Sequence, residues 1–109
     1  MSNITIFVAK QFSETPGGRF RSDGPKSGEA FREDVLYPKL LSHEKVDVNL
    51  DDTLGYGSSF LEEAFGGLVR NHGMTVESLR NQLTVTSSRK FYEERVWQYI
   101  VDADVQARK

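Results

Sequence analysis

Three short runs rich in β-branched residues, each followed by a stretch of helical periodicity, constrain this chain more than any other feature. Ile4, Ile6 and Val8 alternate with Thr5 and Phe7, which predicts a strand over about 3–9. Val46, Val48 and Leu50 share one side of a second run from Lys45 to Leu50, and Leu83 to Thr86 form a third. Between the first two, Phe31, Val35, Leu36, Leu40 and Leu41 recur at helical spacing after a Ser27 cap, predicting a helix over roughly 28–43. After the second, Phe60, Leu61, Ala64, Phe65, Leu68 and Val69 fill a half-cylinder at 3.6-residue periodicity. A last helix is expected over about 89–107, with Tyr92, Val96, Tyr99 and Ala103 as its core stripe. Strand and helix in strict alternation predict an α/β fold: a mostly parallel or mixed β-sheet flanked by helices and joined by right-handed crossovers.

At 109 residues the chain is long enough for one core and one domain, residues 1–109. Charged residues make up 28% and apolar residues 38%, with mean hydropathy -0.50, which is ordinary globular composition and argues against disorder. The formal net charge of -2 argues against a protein that holds nucleic acid or an anionic membrane by bulk electrostatics. With no cysteine, disulfides and thiolate metal sites are excluded. No apolar run reaches the ~20 residues of a membrane span and the first ten residues lack a secretory signal pattern, so a cytoplasmic location is expected.

Finer punctuation is also legible. Pro38 should kink or end the first long helix. Gly18 to Ser22 suit a short hairpin strand inside a glycine-rich connection. Ser59 and Glu62 have the spacing of a capping box. Asn71 to Gly73 should stop that helix, Thr75 should cap a short turn reaching Leu79, and Ser87 or Ser88 should cap the last helix.

A loop leaving the carboxyl end of a parallel strand for a helix start is where α/β folds present ligands and modifiable groups. Ser58 and Ser59 stand there, either as caps or as phosphoacceptors beside the helix N-terminus. Helical projection puts Glu63, Gly66 and Arg70 on one outward line, with Gly67 at the edge of the apolar stripe. Tyr56, Gly57, Glu63, Gly66, Gly67 and Arg70 thus form a candidate protein-docking strip, with a helix–sheet contact through Gly67 as the packing alternative. Arg19, Arg21 and Lys26 lie in a Gly-rich loop, where they either hold an anion or pair with Asp23, Glu29 or Glu33. Asp51 and Asp52 are adjacent in sequence and so point to opposite faces, too few to hold a metal ion. His43 and His72 lack a nearby nucleophile pattern and read as surface residues. No catalytic residue and no cofactor is expected.

The stretches from Gly18 to Glu33 and from Gly55 to Arg70 together resemble a family of small bacterial and phage STAS-like domains. With the strands between and after these stretches, the likeness to that family spans roughly residues 4–90; the broader class is named for sulfate transporters and anti-sigma factor antagonists. The resemblance implies a β-sheet flanked by helices. It also implies, from the antagonist members, a serine at a helix start that an ATP-dependent anti-sigma kinase phosphorylates to switch binding off. Ser58 stands at that position, with Gly57 before it where antagonists carry Asp. The leading expectation is a non-enzymatic signalling module that docks a protein partner, an ATP-binding anti-sigma-type kinase, with a homodimer as a further possibility. The alternatives are a small-ligand or nucleotide-binding protein using the Arg/Gly-rich loop, or a phage or mobile-element protein that occludes a host defence component.

Overall fold

The computed structural model describes residues 2–109. Its sheet has three parallel strands, β1 (Asn3–Phe7), β2 (Lys45–Asn49) and β3 (Leu83–Thr86), in spatial order β1-β2-β3. Register aligns Ile4 with Val46 and Val46 with Leu83, then Ile6 with Val48 and Val48 with Val85. These two rows lie on one face and form the floor of the core. The opposite face carries Thr5, Asp47 and Thr84 in one row and Phe7, Asn49 and Thr86 in the next, half-buried or exposed. Two successive right-handed crossovers in the same direction put both connecting helices on one side, so only one face is covered.

The helices are α1 (Val8–Gln11), α2 (28–42), α3 (58–72), α4 (Val76–Gln82) and α5 (Lys90–Ala107). β1 ends at Phe7, short of the expected 9, because Val8 opens a helical turn and the Gln11 side chain accepts the Phe7 N–H at 2.6 Å. The expected hairpin strand over 18–22 is replaced by a tight turn, Arg21–Asp23. The Asp23 carboxylate accepts the Arg19 and Phe20 amides there, so these amides are not available to a strand partner.

Pro38 does not end α2. The turn before it, Arg32–Leu36, is wound wide, with the Tyr37 amide reaching back five residues to the Arg32 carbonyl. Pro38 therefore falls in the first turn of the segment that follows, Tyr37–Ser42, where its missing N–H does least harm. A matching wide turn, Glu62–Gly66, interrupts α3. Such turns open the backbone and free carbonyls for outside donors. In α4 the Thr75 cap is present, bonded to the Ser78 amide, and the helix runs on to Gln82 rather than stopping at Leu79. On α5 the core stripe is Val96, Ile100 and Ala103, with Tyr92 and Tyr99 only partly buried.

Candidate functional site

Two clusters come from the residues singled out above: a rim at the carboxyl end of β2 and an ion-pair network between α2 and α3. The rim begins where Leu50 buries its side chain and donates its amide to the Thr86 carbonyl. The chain then turns at Asp52, whose φ of 72° puts a non-glycine residue in the left-handed region. The loop is tied at several points. Asn49 accepts the Asp51 amide, Thr53 accepts the Gly55 amide, and Leu54 donates its amide to the Glu14 carbonyl. Tyr56 donates its hydroxyl to the Leu50 carbonyl at 2.8 Å, and burial pushes that phenol up to about 12. Its backbone amide bonds the Tyr92 hydroxyl.

A polar cleft of about 140 Å³ lies between this loop and the start of α5. Asp51 already serves as its anion. One carboxylate oxygen accepts the Ser88 amide at 2.8 Å and the Ser88 hydroxyl at 2.9 Å, and these two bonds hold the Asp51 carboxyl below its ordinary value. Ser88 thus donates to Asp51 rather than capping α5 as expected. Ser87 bonds the Arg89 amide, and Arg89 is the cap residue, without a side-chain cap bond.

Ser58 and Ser59 open α3 and are exposed. Gly57 is the cap residue, so the expected Ser59–Glu62 capping box does not form. Among the described residues neither serine hydroxyl has a hydrogen-bond partner. Glu62 instead accepts Arg19 at 2.6 Å and Arg70 at 2.5 Å. Burial works to raise the Glu62 carboxyl, but the Arg70 and Arg19 bonds outweigh it and leave it below the ordinary carboxylate value.

The outward line of Glu63, Gly66 and Arg70 is corrected by the structure. Glu63 is 4% exposed and meets Arg32, itself 2% exposed, at 2.7 Å. Arg32 also donates to the Glu63 carbonyl at 2.6 Å, within the wide turn of α3. Gly67 is the place where the Arg32 guanidinium lies, since a Cβ there would sit 2.0 Å from Arg32 Nη1. The contact is helix to helix, not helix to sheet. Gly66 is covered by the Glu62–Arg70 pair, whose Glu62 Oε2 would stand 2.7 Å from an added Cβ. Arg70 is exposed on its outer side and also bonds Glu63 at 3.2 Å. Gly28 completes the crossing: a Cβ there would lie 2.5 Å from the Phe60 carbonyl oxygen.

The network continues through Glu33, which accepts both Arg32 Nε and His72 Nε2 on the same oxygen, each at 2.7 Å. Burial works to raise the Glu33 carboxyl, and the Arg32 and His72 bonds turn the net shift downward. His72 stacks on Tyr37 with ring centroids 3.6 Å apart, so it is a packed residue and not a surface one. The expected anion cluster is not assembled. Arg19 pairs with Glu62 and Glu63, Arg21 makes two bonds to Asp34, and Lys26 lies over the Phe12 ring. Arg32 escaped sequence reasoning because a buried charge breaks no apolar periodicity. Its signal was indirect: two glycines in the interior of α3 require a compensating contact, and Arg32 supplies it at Gly67.

The model of the family described as a STAS-like domain of unknown function matches residues 27–92, more than half of the chain. The chain belongs to this family. The matched span runs from the Ser27 cap of α2 to Tyr92 and includes β2, the rim loop, both wide turns and β3. A parallel sheet with flanking helices is therefore the fold of this STAS-like domain, as the resemblance implied. Neither the curated proteins nor the solved structures contain a match. No helix among the described residues of the STAS-like domain is long and apolar enough to cross a membrane, and no group of three or more metal-ligating side chains occurs among them.

Proposed function

We propose that this STAS-like domain is a non-enzymatic protein-interaction module that docks an ATP-binding kinase of the anti-sigma type through the rim from Leu54 to Ser59, with phosphorylation of Ser58 as its switch. The observation that supports this reading most directly is the pair of exposed serine hydroxyls at the start of α3 that cap nothing. A phosphate on Ser58 would sit by the amide end of a fifteen-residue helix, where negative charge is favoured, without breaking an existing bond. The docking strip narrows to Tyr56, Gly57, Ser58 and Ser59, because Glu63, Gly66 and Gly67 are buried and the exposed Arg70 is tied to Glu62 and Glu63. The polar groups near the rim argue for binding over catalysis, since Asp51 is already bonded to Ser88.

The test is incubation with ATP and candidate kinases, mass spectrometry of the serines, and binding of wild type, Ser58→Ala and Ser58→Asp. The expected result is phosphate on Ser58, binding retained in the alanine variant and lost in the aspartate variant. Absence of phosphate together with equal binding by all three proteins overturns the proposal.

A further inference from the structure

Leu54 is 85% exposed, the most exposed of the large apolar residues among the described residues. Its loop is not slack: the Leu54 amide is bonded to Glu14, and the flanking residues are tied to Asn49, Thr53 and Tyr92. A fixed apolar tip loses little freedom on binding, which is the property of an interface anchor. Two acidic residues adjoin it in the chain path, Asp52 two positions earlier in the loop and Glu14, whose carbonyl accepts the Leu54 amide, while Arg89 lines the cleft beside Asp52. Asp52 and Glu14 are exposed and form no ion pair among the described residues.

The opposite end of the same strands offers the complement. A cleft of about 240 Å³ lies between the starts of the strands and the end of α4; of its apolar lining residues Ile4 is partly exposed while Val46 and Leu83 are buried in the core, and Thr5, Asp47 and Thr84 line it from the open face. A closed cavity of about 150 Å³ holds a benzene ring, so a leucine side chain has room. The cleft is basic. Lys45 uses one donor on the Asn81 carbonyl and keeps two, and Arg80 stacks on Trp97 at 4.8 Å with no ion pair among the described residues. Asp47, the carboxylate among the lining residues, offsets one of the two cations, and its charge is held in place by the hydroxyls of Thr84 and Thr86.

We propose that the protein stacks head to tail on itself, Leu54 of one copy entering the cleft of the next while Asp52 and Glu14 face Arg80 and Lys45. All three strands run in one direction, so the loop and the cleft lie at opposite ends of the sheet. A contact between different surfaces does not close on itself as a two-fold dimer does, and it extends into a chain of copies. The stack needs no kinase and no phosphate and is tested apart from the function proposed above, although a copy whose Leu54 is buried in the next one cannot offer it to a kinase.

The test is sedimentation velocity on the purified protein from about 10 μM to about 1 mM, the range of weak association. Wild type is expected to grow in mass with concentration without stopping at a dimer, and less so at high salt. Leu54→Asp and Arg80→Glu are each expected to weaken the association at least tenfold. Mixing those two variants leaves one competent loop and one competent cleft, so the mixture is expected to give a dimer and nothing larger. Lys45→Glu repeats the cleft arm, because Arg80→Glu also removes the stacking on Trp97, and circular dichroism verifies that every variant is folded. A wild type that stays monomeric throughout, or a mixture of folded variants no heavier than either alone, overturns the proposal.

Discussion

Within α3, the first turn and the middle treat their polar groups in opposite ways. Ser58 and Ser59 face solvent with unbonded hydroxyls, whereas one turn later Glu62 and Glu63 are held by five arginine contacts from Arg19, Arg32 and Arg70. The cause is what each turn touches. The first turn follows a loop at the rim, while the middle crosses α2 so closely that only glycine fits at 28 and 67. One helix therefore supplies both an accessible end and a charged, buried clamp.

The comparison is broken most severely at Arg32. Arg32→Met leaves Glu63 buried with only its outer contacts to Arg19 and Arg70, and a loss of about 3 kcal/mol is expected in urea unfolding. Pairing it with Glu63→Met should recover most of that loss, since removing both charges leaves neither uncompensated. Gly67→Ala comes next. Alanine favours a helix by about 1 kcal/mol, yet its Cβ would overlap Arg32, so a net loss of about 1–3 kcal/mol is expected from the same measurement. Gly66→Ala sharpens the contrast. The atoms it meets are the ends of Glu62 and Arg70, which can move, so its effect should stay within about 1 kcal/mol.

Acid should act on the clamp and, through Asp51, on the rim loop, but not on the first turn of α3. The folded Glu62 and Glu33 carboxyls lie below the ordinary glutamate value, so the unfolded chain binds protons more readily than the folded one. Their stabilisation is complete above that value and is lost as pH falls through the folded value. Urea titrations from pH 6 to pH 3 should therefore show falling stability. Glu62→Gln should flatten the curve, although Asp51 and Asp34, also lowered, keep part of the slope. The smallest effect is expected at the rim itself. Ser58→Ala and Ser59→Ala remove no hydrogen bond and should shift stability by less than about 0.5 kcal/mol in the same assay. A loss near 1 kcal/mol at either position would mean that the serine caps the helix after all.

Much of the fold was legible because burial in a sheet or amphipathic helix leaves a period in the apolar residues. Val46, Val48 and Leu50 showed their strand, and the apolar half-cylinder of α3 is buried as its spacing implied. The site was less legible. Projecting Glu63 outward assumed that a carboxylate seeks water, and that assumption fails where Arg32 reaches it from a helix thirty-one residues earlier. Pro38 misled for a related reason, since a wide turn before it relieves a clash that a regular helix could not.

By itself, the order of residues determined the three strands and the long helices that alternate with them, because these follow from local periodicity. Only the tertiary structure decided that Glu63, Gly66 and Gly67 lie inside and that the arginines of the Gly-rich loop are already paired. Those outcomes depend on two helices meeting at close range, and contact between residues distant in the chain writes no period into either segment.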